Sequence, residues 1–533
     1  MKIRHAVFIV LLISTLVGQS FGQGFPVWPI VVGALQNRTA LVDAKPAHII
    51  NWTIPTLTTL PAVLANRAAP TAPGYDNCGS LRFYALHNGQ TADGNLFIYS
   101  PTGTLLYPSV ATPGTGLYAS SPDLEIQVVP VPETSNAWYL IYNVNDASSA
   151  YTPSNVAYSI LRFNGTVWDV ALSERNIVLM QGANSHTYNK GKAVSRRIAG
   201  GTPYHALYLC RRATGVGTIY LDMYKITQSG ISYSESSDAI ADDWWVLTTV
   251  GSPIELDNAG LRVAVLSRKQ NSNATRCHLF NTANLSSHVS ISLHKLMLVP
   301  NIAEFPSYTT AASIEDLGAG AVPGVTALRW LSNFDRKMTG LQFSPNGQYL
   351  YICGGGFVEA DFGNLSYISQ IDLGTTTALP ASGDGLDVRL QTQFVANWQS
   401  NNGRAATTSG SDITQAAHWG RVHTISHMQL AHNQNIYFTK ANCDTLFVLP
   451  DPNNPMPQRL APGNVNLATV PAPNIVFDGY IGVMPDQIDG MNYMENTTVV
   501  IGGATPTMQV GQSITLSCLV NGTPETVGVS WIG

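Results

Sequence analysis

The chain is poor in charged residues. Only 11% of its 533 residues are Asp, Glu, Lys or Arg, compared with roughly 25% in an average soluble protein. Its 28 Lys and Arg are outnumbered by 33 Asp and Glu, the formal net charge is −5, and no basic block occurs. Because nucleic acids and anionic membranes are bound by clustered Lys and Arg, we exclude both as partners.

Cysteine is also scarce. The six cysteines are far apart and form no Cys-x-x-Cys pair, which argues against a structural zinc site. We expect no dense disulfide framework in so long a chain, and we expect some of these residues to be buried free thiols. They are Cys78, Cys210, Cys277, Cys353, Cys443 and Cys518.

Long apolar runs are missing apart from one near the N-terminus. Ala6 to Val17 follows Lys2 and Arg4, and Ser20-Phe21-Gly22 resembles a small-x-small cleavage site. The run is shorter than the roughly 20 residues needed to cross a bilayer, so a membrane anchor is the weaker alternative. We predict a secretory signal peptide at residues 1–22, an extracellular or outer cell-surface location, and no transmembrane segment.

No segment has the apolar spacing of an amphipathic helix. Short β-type runs alternate instead with turn residues, and one phrase recurs: Phe343 to Ile352 contains Ser-Pro-Asn-Gly, with a similar copy at Ser100 to Tyr107 and a looser one at Leu430 to Phe438. Asn-Gly between apolar runs predicts a hairpin whose two turn residues both take positive φ. A hairpin repeated along the chain indicates an all-β repeat architecture.

The spacing of these turns suggests a number of blades. Asn346 and Asn433 are 87 residues apart, which matches two propeller blades of roughly 40–45 residues. We therefore predict an about seven-bladed β-propeller over residues 75–492, preceded by a leader and first strands at residues 23–74. A string of separate β-sandwiches is the alternative, but no Gly/Pro/Ser-rich linker occurs before residue 495.

The last part of the chain has a different pattern. Val510 to Cys518 alternates and ends in cysteine, and Trp531 follows about a dozen residues later. This pattern is similar to strands B and C of an immunoglobulin-like sandwich. We predict the incomplete start of an Ig-like or PKD-like domain at residues 493–533, and expect further C-terminal domains beyond Gly533.

The order of several segments resembles a known family. Asp93-Gly94-Asn95-Leu96-Phe97-Ile98-Tyr99, the phrase at Phe343 to Ile352, and Met484 to Gly490 are similar to the opening, a middle and the closing part of a WD40-like propeller. Such a propeller occurs at the N-terminus of exported Bacteroidetes proteins that carry PKD or Ig-like domains and often use type IX secretion. The resemblance implies a surface or secreted role, with no catalytic residues assigned.

Four groups of residues are candidates for chemistry. The first group, His418, His423, His427 and His432, could bind a metal. The second, Asp238, Asp242 and Asp243, precedes Trp244-Trp245 and could serve a glycosidase or bind sugar. Asn143, Asn145 and Asp146 resemble part of a calcium loop, and Gly354-Gly355-Gly356 could cradle phosphate. Each is better explained as ordinary strand, loop or turn sequence. We therefore assign no catalytic, cofactor-binding or metal residue, and no cofactor.

Two functional hypotheses follow. The first is a non-enzymatic, adhesin-like binding or scaffold module whose partner is an extracellular glycan or protein. The alternative is an extracellular propeller enzyme acting on polysaccharide, a lyase or hydrolase, with its site at the central channel. Fold alone does not decide between them.

Overall fold

The computed structural model consists of short antiparallel strands, with one 3₁₀ helix at Leu172–Glu174 in the part of the chain that it describes. The described residues are 27–33, 43–51, 56–65, 71–76, 79–87, 96–107, 117, 125–144, 155–181, 184–185, 188–199, 201–212, 218–240, 254–268, 275–292, 298–300, 314–316, 328–331, 335–357, 364–376, 378–380, 388–391, 425–440, 443–449, 452–455, 475–481, 484–485, 488, 498–500, 514–520 and 523–529.

Six four-stranded units follow one another along the chain as the blades of a propeller. The first three are β4 (Thr71–Tyr75), β5 (Leu81–His87), β6 (Leu96–Tyr99) and β7 (Leu105–Tyr107); β8 (Gln127–Pro130), β9 (Ala137–Val144), β10 (Asn155–Phe163) and β11 (Trp168–Asp169), with β12 (Ile177–Val178) also on β10; and β15 (Tyr188–Val194), β16 (His205–Arg212), β17 (Ile219–Thr227) and β18 (Gly230–Ser236). Between the second and third lies the small pair β13 (Met180–Gln181) and β14 (Asn184–Ser185).

The other three blades have the same order. They are β19 (Ile254–Leu256), β20 (Arg262–Arg268), β21 (Thr275–Asn281) and β22 (Asn284–Ser292); β26 (Asp335–Phe343), β27 (Tyr349–Phe357), β28 (Asn364–Asp372) and β29 (Val388–Gln391); and β30 (Ile425–Leu430), β31 (Ile436–Lys440), β32 (Cys443–Leu449) and β33 (Ile475–Ile481). A three-stranded sheet of β23 (Leu298–Pro300), β24 (Ile314–Asp316) and β25 (Leu328–Leu331) lies between the fourth and fifth blades in sequence.

The core lies between neighbouring blades. Each strand alternates its side chains between two faces, so a blade buries one set against the blade before it and the other against the blade after it. Trp138 packs edge-on against Phe83 of the first blade, whereas its neighbour Tyr139 belongs to the cluster shared with the third blade. The first strands of the first and second blades contact each other, as do those of successive blades from the third to the sixth. This is the arrangement expected of strands that line the centre of a propeller.

The N-terminal strands form a sheet between the sixth and first blades. β1 (Val27–Gly33), β2 (Asp43–Asn51) and β3 (Thr56–Ala65) are antiparallel, and β1 pairs with β33 over two residues. Trp28 packs edge-on against Tyr437 of the sixth blade, and Thr71 of the first blade donates to the carbonyl of Pro29 at 2.5 Å. They lie within residues 23–74, and β1 contacts both the last strand of the sixth blade and the first strand of the first blade.

The recurring phrase marks hairpins, but not equivalent ones. Ser344–Gly347 joins the first and second strands of the fifth blade, and Ala431–Gln434 does the same in the sixth. Ser100–Gly103 instead joins the third and fourth strands of the first blade. The interval from Asn346 to Asn433 thus covers one blade rather than two, because the connections are longer than in a minimal propeller. The structure has six blades where this spacing predicted about seven.

The predicted turn geometry was also wrong in one respect. Gly347 takes the positive φ, 72°, whereas Asn346 uses its side chain, whose Oδ1 accepts from Ser344 Oγ at 2.7 Å and from the Gln348 amide at 3.0 Å. This is a longer hairpin turn with one left-handed residue, in place of a two-residue turn that needs two. In the sixth blade Gln434 fills that position with φ 65°.

Two glycines give a matched test of these turns. Gly260 and Gly347 both have φ +72°, but a Cβ on Gly260 meets nothing within 4 Å, whereas one on Gly347 lies 2.7 Å from Arg262 Nη2. We expect Gly260→Ala to lower the free energy of unfolding by about 1–2 kcal/mol, the cost of a left-handed residue. Gly347→Ala should cost at least about 1 kcal/mol more because it also displaces Arg262. Urea unfolding of both variants measures this, and equal losses would contradict it.

The C-terminal strands form a separate sheet. β34 (Thr498–Val500), β35 (Ile514–Val520) and β36 (Thr523–Val529) are antiparallel, and Val520 pairs with Thr523. Trp531 lies outside the described residues. Three strands agree with a β-type unit after the propeller and leave its sandwich class open.

Candidate functional site

The two ends of the ring differ in what they carry. We call the end with the turns between first and second strands the turn face; it holds Asp76–Ser80, Asp257–Leu261, Ser344–Gln348 and Ala431–Asn435. The other end, where the first strands begin, we call the opposite face. Because strands alternate in direction, the connections between blades start and finish there.

The candidate histidine group lies partly in a strand and partly in a turn. His427 lies in β30, and His432 lies beyond its other end in the turn. At ~3.3 Å per strand residue they are more than ~10 Å apart along the strand, so they do not form one metal site. His432 contacts Tyr75 edge-on, and burial of its imidazole lowers its pKa to about 3. His418 and His423 lie outside the described residues.

The other candidates also have structural explanations where they are described. Gly354–Gly356 lies inside β27, paired on both sides, so it is neither a phosphate cradle nor the strand-end turn that we expected. Asn143 lies in β9, where its Oδ1 accepts from Lys192 Nζ at 2.7 Å, which opposes a calcium role. Asn145, Asp146, Asp242 and Asp243 lie outside the described residues. In the described part of the chain, no three His, Cys, Asp or Glu are placed to hold a metal.

Asp238 is exposed at the opposite face, near a histidine that the sequence did not single out. The pKa of His288 is lowered mainly by burial and also by His278, and Asp238 acts in the other direction. The rings of His278 and His288 are 5.9 Å apart.

The imidazole of His278 is hydrogen-bonded between two serine hydroxyls. Its Nε2 is 2.8 Å from Ser267 Oγ, and its Nδ1 is 2.8 Å from Ser290 Oγ. A hydroxyl, an imidazole and a second orienting group are also the parts of a nucleophilic site. Ser267 is completely buried between strands, however. Ser267 is therefore out of reach of a substrate, and the arrangement satisfies the buried polar groups of Ser267 and His278, while Ser290 at its other end is exposed.

A charged cluster lies between the first strands of the second and third blades. Lys192 of β15 is buried, and its Nζ donates to the carbonyl of Glu125 at 2.8 Å as well as to Asn143. Its backbone amide donates to Glu125 Oε2 at 3.0 Å. A buried ammonium is stable only when it is well hydrogen-bonded, and these contacts join the two blades.

The third blade turns a polar surface toward the second blade. Arg211 is paired with Tyr188 of β15 on one side and with Tyr220 of β17 on the other, and Asp222 is the next residue after Tyr220 on the same face of β17. Arg211 donates from Nε to Asp222 Oδ2 at 2.7 Å and from Nη2 to Oδ1 at 3.2 Å, while Ser236 Oγ donates to Oδ1 at 2.6 Å. The guanidinium lies 4.2 Å from the centroid of the Tyr220 ring.

Two tyrosines lie on the same side of the third blade as Arg211 and Asp222. The hydroxyls of Tyr188 and Tyr224 are 2.5 Å apart. Burial, with Asp222 nearby, raises the pKa of both, that of Tyr224 to about 12. They therefore stay protonated and act as fixed hydrogen-bonding groups. We name Arg211, Tyr220, Asp222, Tyr188 and Tyr224 the arginine site.

The sequence contains a signal for this site that motif reading missed. Leu207, Leu209 and Arg211 alternate in β16, and Asp222, Tyr224 and Ile226 alternate in β17. A charge that continues the buried side of a strand needs a partner there. Two such charges of opposite sign in adjacent strands predict a pair.

Two cysteines are buried free thiols, as expected for some of the six: Cys210 and Cys277. Cys353 is also buried. Burial raises the pKa of Cys277 to about 12 and that of Cys210 well above its usual value. The thiolate forms of these two are negligible at neutral pH, so they are unsuited to nucleophilic chemistry.

The sequence matches no family model and no curated protein. Its structure is similar to hydrazine synthase of Kuenenia stuttgartiensis, with a TM-score of 0.38 and 11% identity over 76% of this chain and 89% of that one. It is also similar to oligogalacturonate lyase of Vibrio parahaemolyticus, at 0.36 and 9% over 78% and 88%. Oligopeptidase B of Leishmania major gives 0.33 and 8% over 97% and 56%. Likenesses this low carry no argument about function.

No helix among the described residues is long and apolar enough to span a membrane.

Proposed function

We propose that the chain is an exported, non-enzymatic binding module that acts at the cell surface or as a secreted protein. The observation that carries this is how the charged side chains inside the blades are held. Lys192 is bound to Glu125 and Asn143, and Arg211 to Asp222. A catalytic acid or base must reach a substrate proton, whereas Lys192 and Asp222 are buried, and the partly exposed Arg211 is held in a fixed orientation suited to recognition.

Export and domain organisation belong to the same proposal. The signal-peptide pattern at residues 1–22 supports secretion. The resemblance to exported Bacteroidetes proteins supports type IX secretion and an Ig-like or PKD-like continuation beginning with β34–β36. Because β1–β3 pack between the sixth and first blades, we assign them the place of a seventh blade, which extends the propeller from residues 75–492 into residues 23–74.

An array of extracellular glycans and matrix proteins tests the function directly. The purified chain should bind at least one member saturably and release it unchanged in length and saturation. The same glycans, incubated with the chain and analysed for new reducing ends and for unsaturated products, test the enzyme alternative. Product formation, or binding to no member of the array, would refute the proposal.

A further inference from the structure

The arginine site holds a guanidinium with one open edge. Arg211 uses Nε and Nη2 for Asp222, and its Nη1 makes no hydrogen bond within the part of the chain that the structure describes. Its side chain retains 12% exposure, whereas Asp222 behind it is fully buried. Arg211 is the second-last residue of β16, so it lies at the opposite face, within reach of solvent.

A second arginine in the same fold shows what a purely structural role requires. Arg262 also pairs with a buried aspartate, Asp257, but donates from Nη2 to Gly347 and from Nη1 to Thr376 as well. Its side chain is 3% exposed. Every guanidinium nitrogen of Arg262 has a protein acceptor, whereas Arg211 keeps one nitrogen for another acceptor.

The surroundings of Arg211 fix its orientation. Asp222 is held in turn by Ser236, and the Tyr220 ring supports the face of the guanidinium at 4.2 Å. A guanidinium fixed in this way binds with little loss of side-chain entropy. We propose that the arginine site binds a ligand carboxylate, which accepts from Nη1 of Arg211 while the ligand body lies beside Tyr220. A carboxylate matches the planar donors of arginine better than a neutral hydroxyl does.

This inference rests on the proposed binding function and gives it a substrate class. Glucuronate and glucose are suitable probes because they differ only in the carboxylate. Titration of the full chain, followed by ligand-observed NMR, should show at least tenfold tighter binding of glucuronate. Equal binding of the two sugars, or binding of neither, would overturn the inference. The proposed function fails separately, through an array on which nothing binds.

Variants locate the site. Arg211→Met should abolish the preference for glucuronate, but it leaves Asp222 without its partner and could unfold the blade. Tyr220→Leu keeps the ion pair and should weaken glucuronate binding at least threefold. Arg162→Met is the matched control, because Arg162 pairs with Glu174 through the same two nitrogens on an exposed surface. Unchanged binding in folded Tyr220→Leu, or an equal loss in Arg162→Met, would place the ligand elsewhere.

Discussion

Replacing Arg262 by methionine is expected to lower the free energy of unfolding by about 3–5 kcal/mol. The side chains of Arg262 and Asp257 are 3% and 1% exposed, and Nε of Arg262 lies 2.8 Å from Asp257 Oδ2. Methionine fills a similar volume but leaves the carboxylate buried without its counter-charge. Two inter-blade hydrogen bonds, to Gly347 and Thr376, disappear at the same time.

Urea unfolding of Arg262→Met against Arg162→Met measures this effect. Arg162 and Glu174 are 47% and 23% exposed, so that loss should be no more than about 1 kcal/mol. The double variant Arg262→Met/Asp257→Asn should be more stable than the sum of its single changes, because it removes the buried charge together with its partner. Similar losses at Arg162 and Arg262 would show that the buried pair does not join the fourth and fifth blades.

The strands and the turns of the propeller are where reasoning from the sequence succeeded. The alternation of short apolar runs predicted an all-β repeat fold correctly, because strand periodicity is a local property. The turn at Ser344–Gly347 was located correctly for the same reason. Its role in the ring was not, since the carbonyl of Gly347 is bound by Arg262, 85 residues earlier. Nothing in either segment alone records that contact.

The spacing of the turns did not report the number of blades, for a physical reason as well. A turn phrase reports that two strands reverse, whichever strands of the blade they are. Ser100–Gly103 and Ser344–Gly347 form similar turns at different positions in their blades. Only pairing partners distinguish the two, and these depend on register between strands distant in sequence.

The histidines show why closeness in sequence does not give closeness in space. His427 lies in β30 and His432 lies in the turn that follows it, so an extended strand separates two residues that are only five apart in sequence. Arg211 and Asp222, 11 residues apart, meet because their strands are antiparallel neighbours. In a propeller, the residues of a site are therefore predicted better from paired positions on adjacent strands than from their spacing along the chain.

Lowering the pH from 7 to 5 is expected to destabilise the protein through its buried histidines. His205 is 2% exposed, and burial lowers its pKa to about 4 despite a contact of 2.9 Å between Nδ1 and the Ser195 carbonyl. In the unfolded chain the pKa is about 6.5. Between these values the unfolded state binds a proton that the native state does not, so stability falls as the pH drops from about 6.5 toward 4.

The size of the effect follows from linkage. At pH 5 the difference for His205 is about 2 kcal/mol. His432 acts in the same direction, with its pKa lowered to about 3, although the residue is partly exposed and its contribution is therefore smaller. Asparagine at position 205 retains an amide N–H that can donate to Ser195 and does not titrate in this range.

Urea unfolding at pH 7 and pH 5 separates this term from other titrations. The loss of stability between the two pH values should be about 2 kcal/mol smaller in His205→Asn than in the wild type. His205→Asn/His432→Phe should reduce it further, because phenylalanine keeps the edge contact with Tyr75 and removes the titrating group. Identical losses in all three proteins would mean that both histidines have the same pKa in the native and the unfolded state, and that the acid sensitivity arises from other titrating groups.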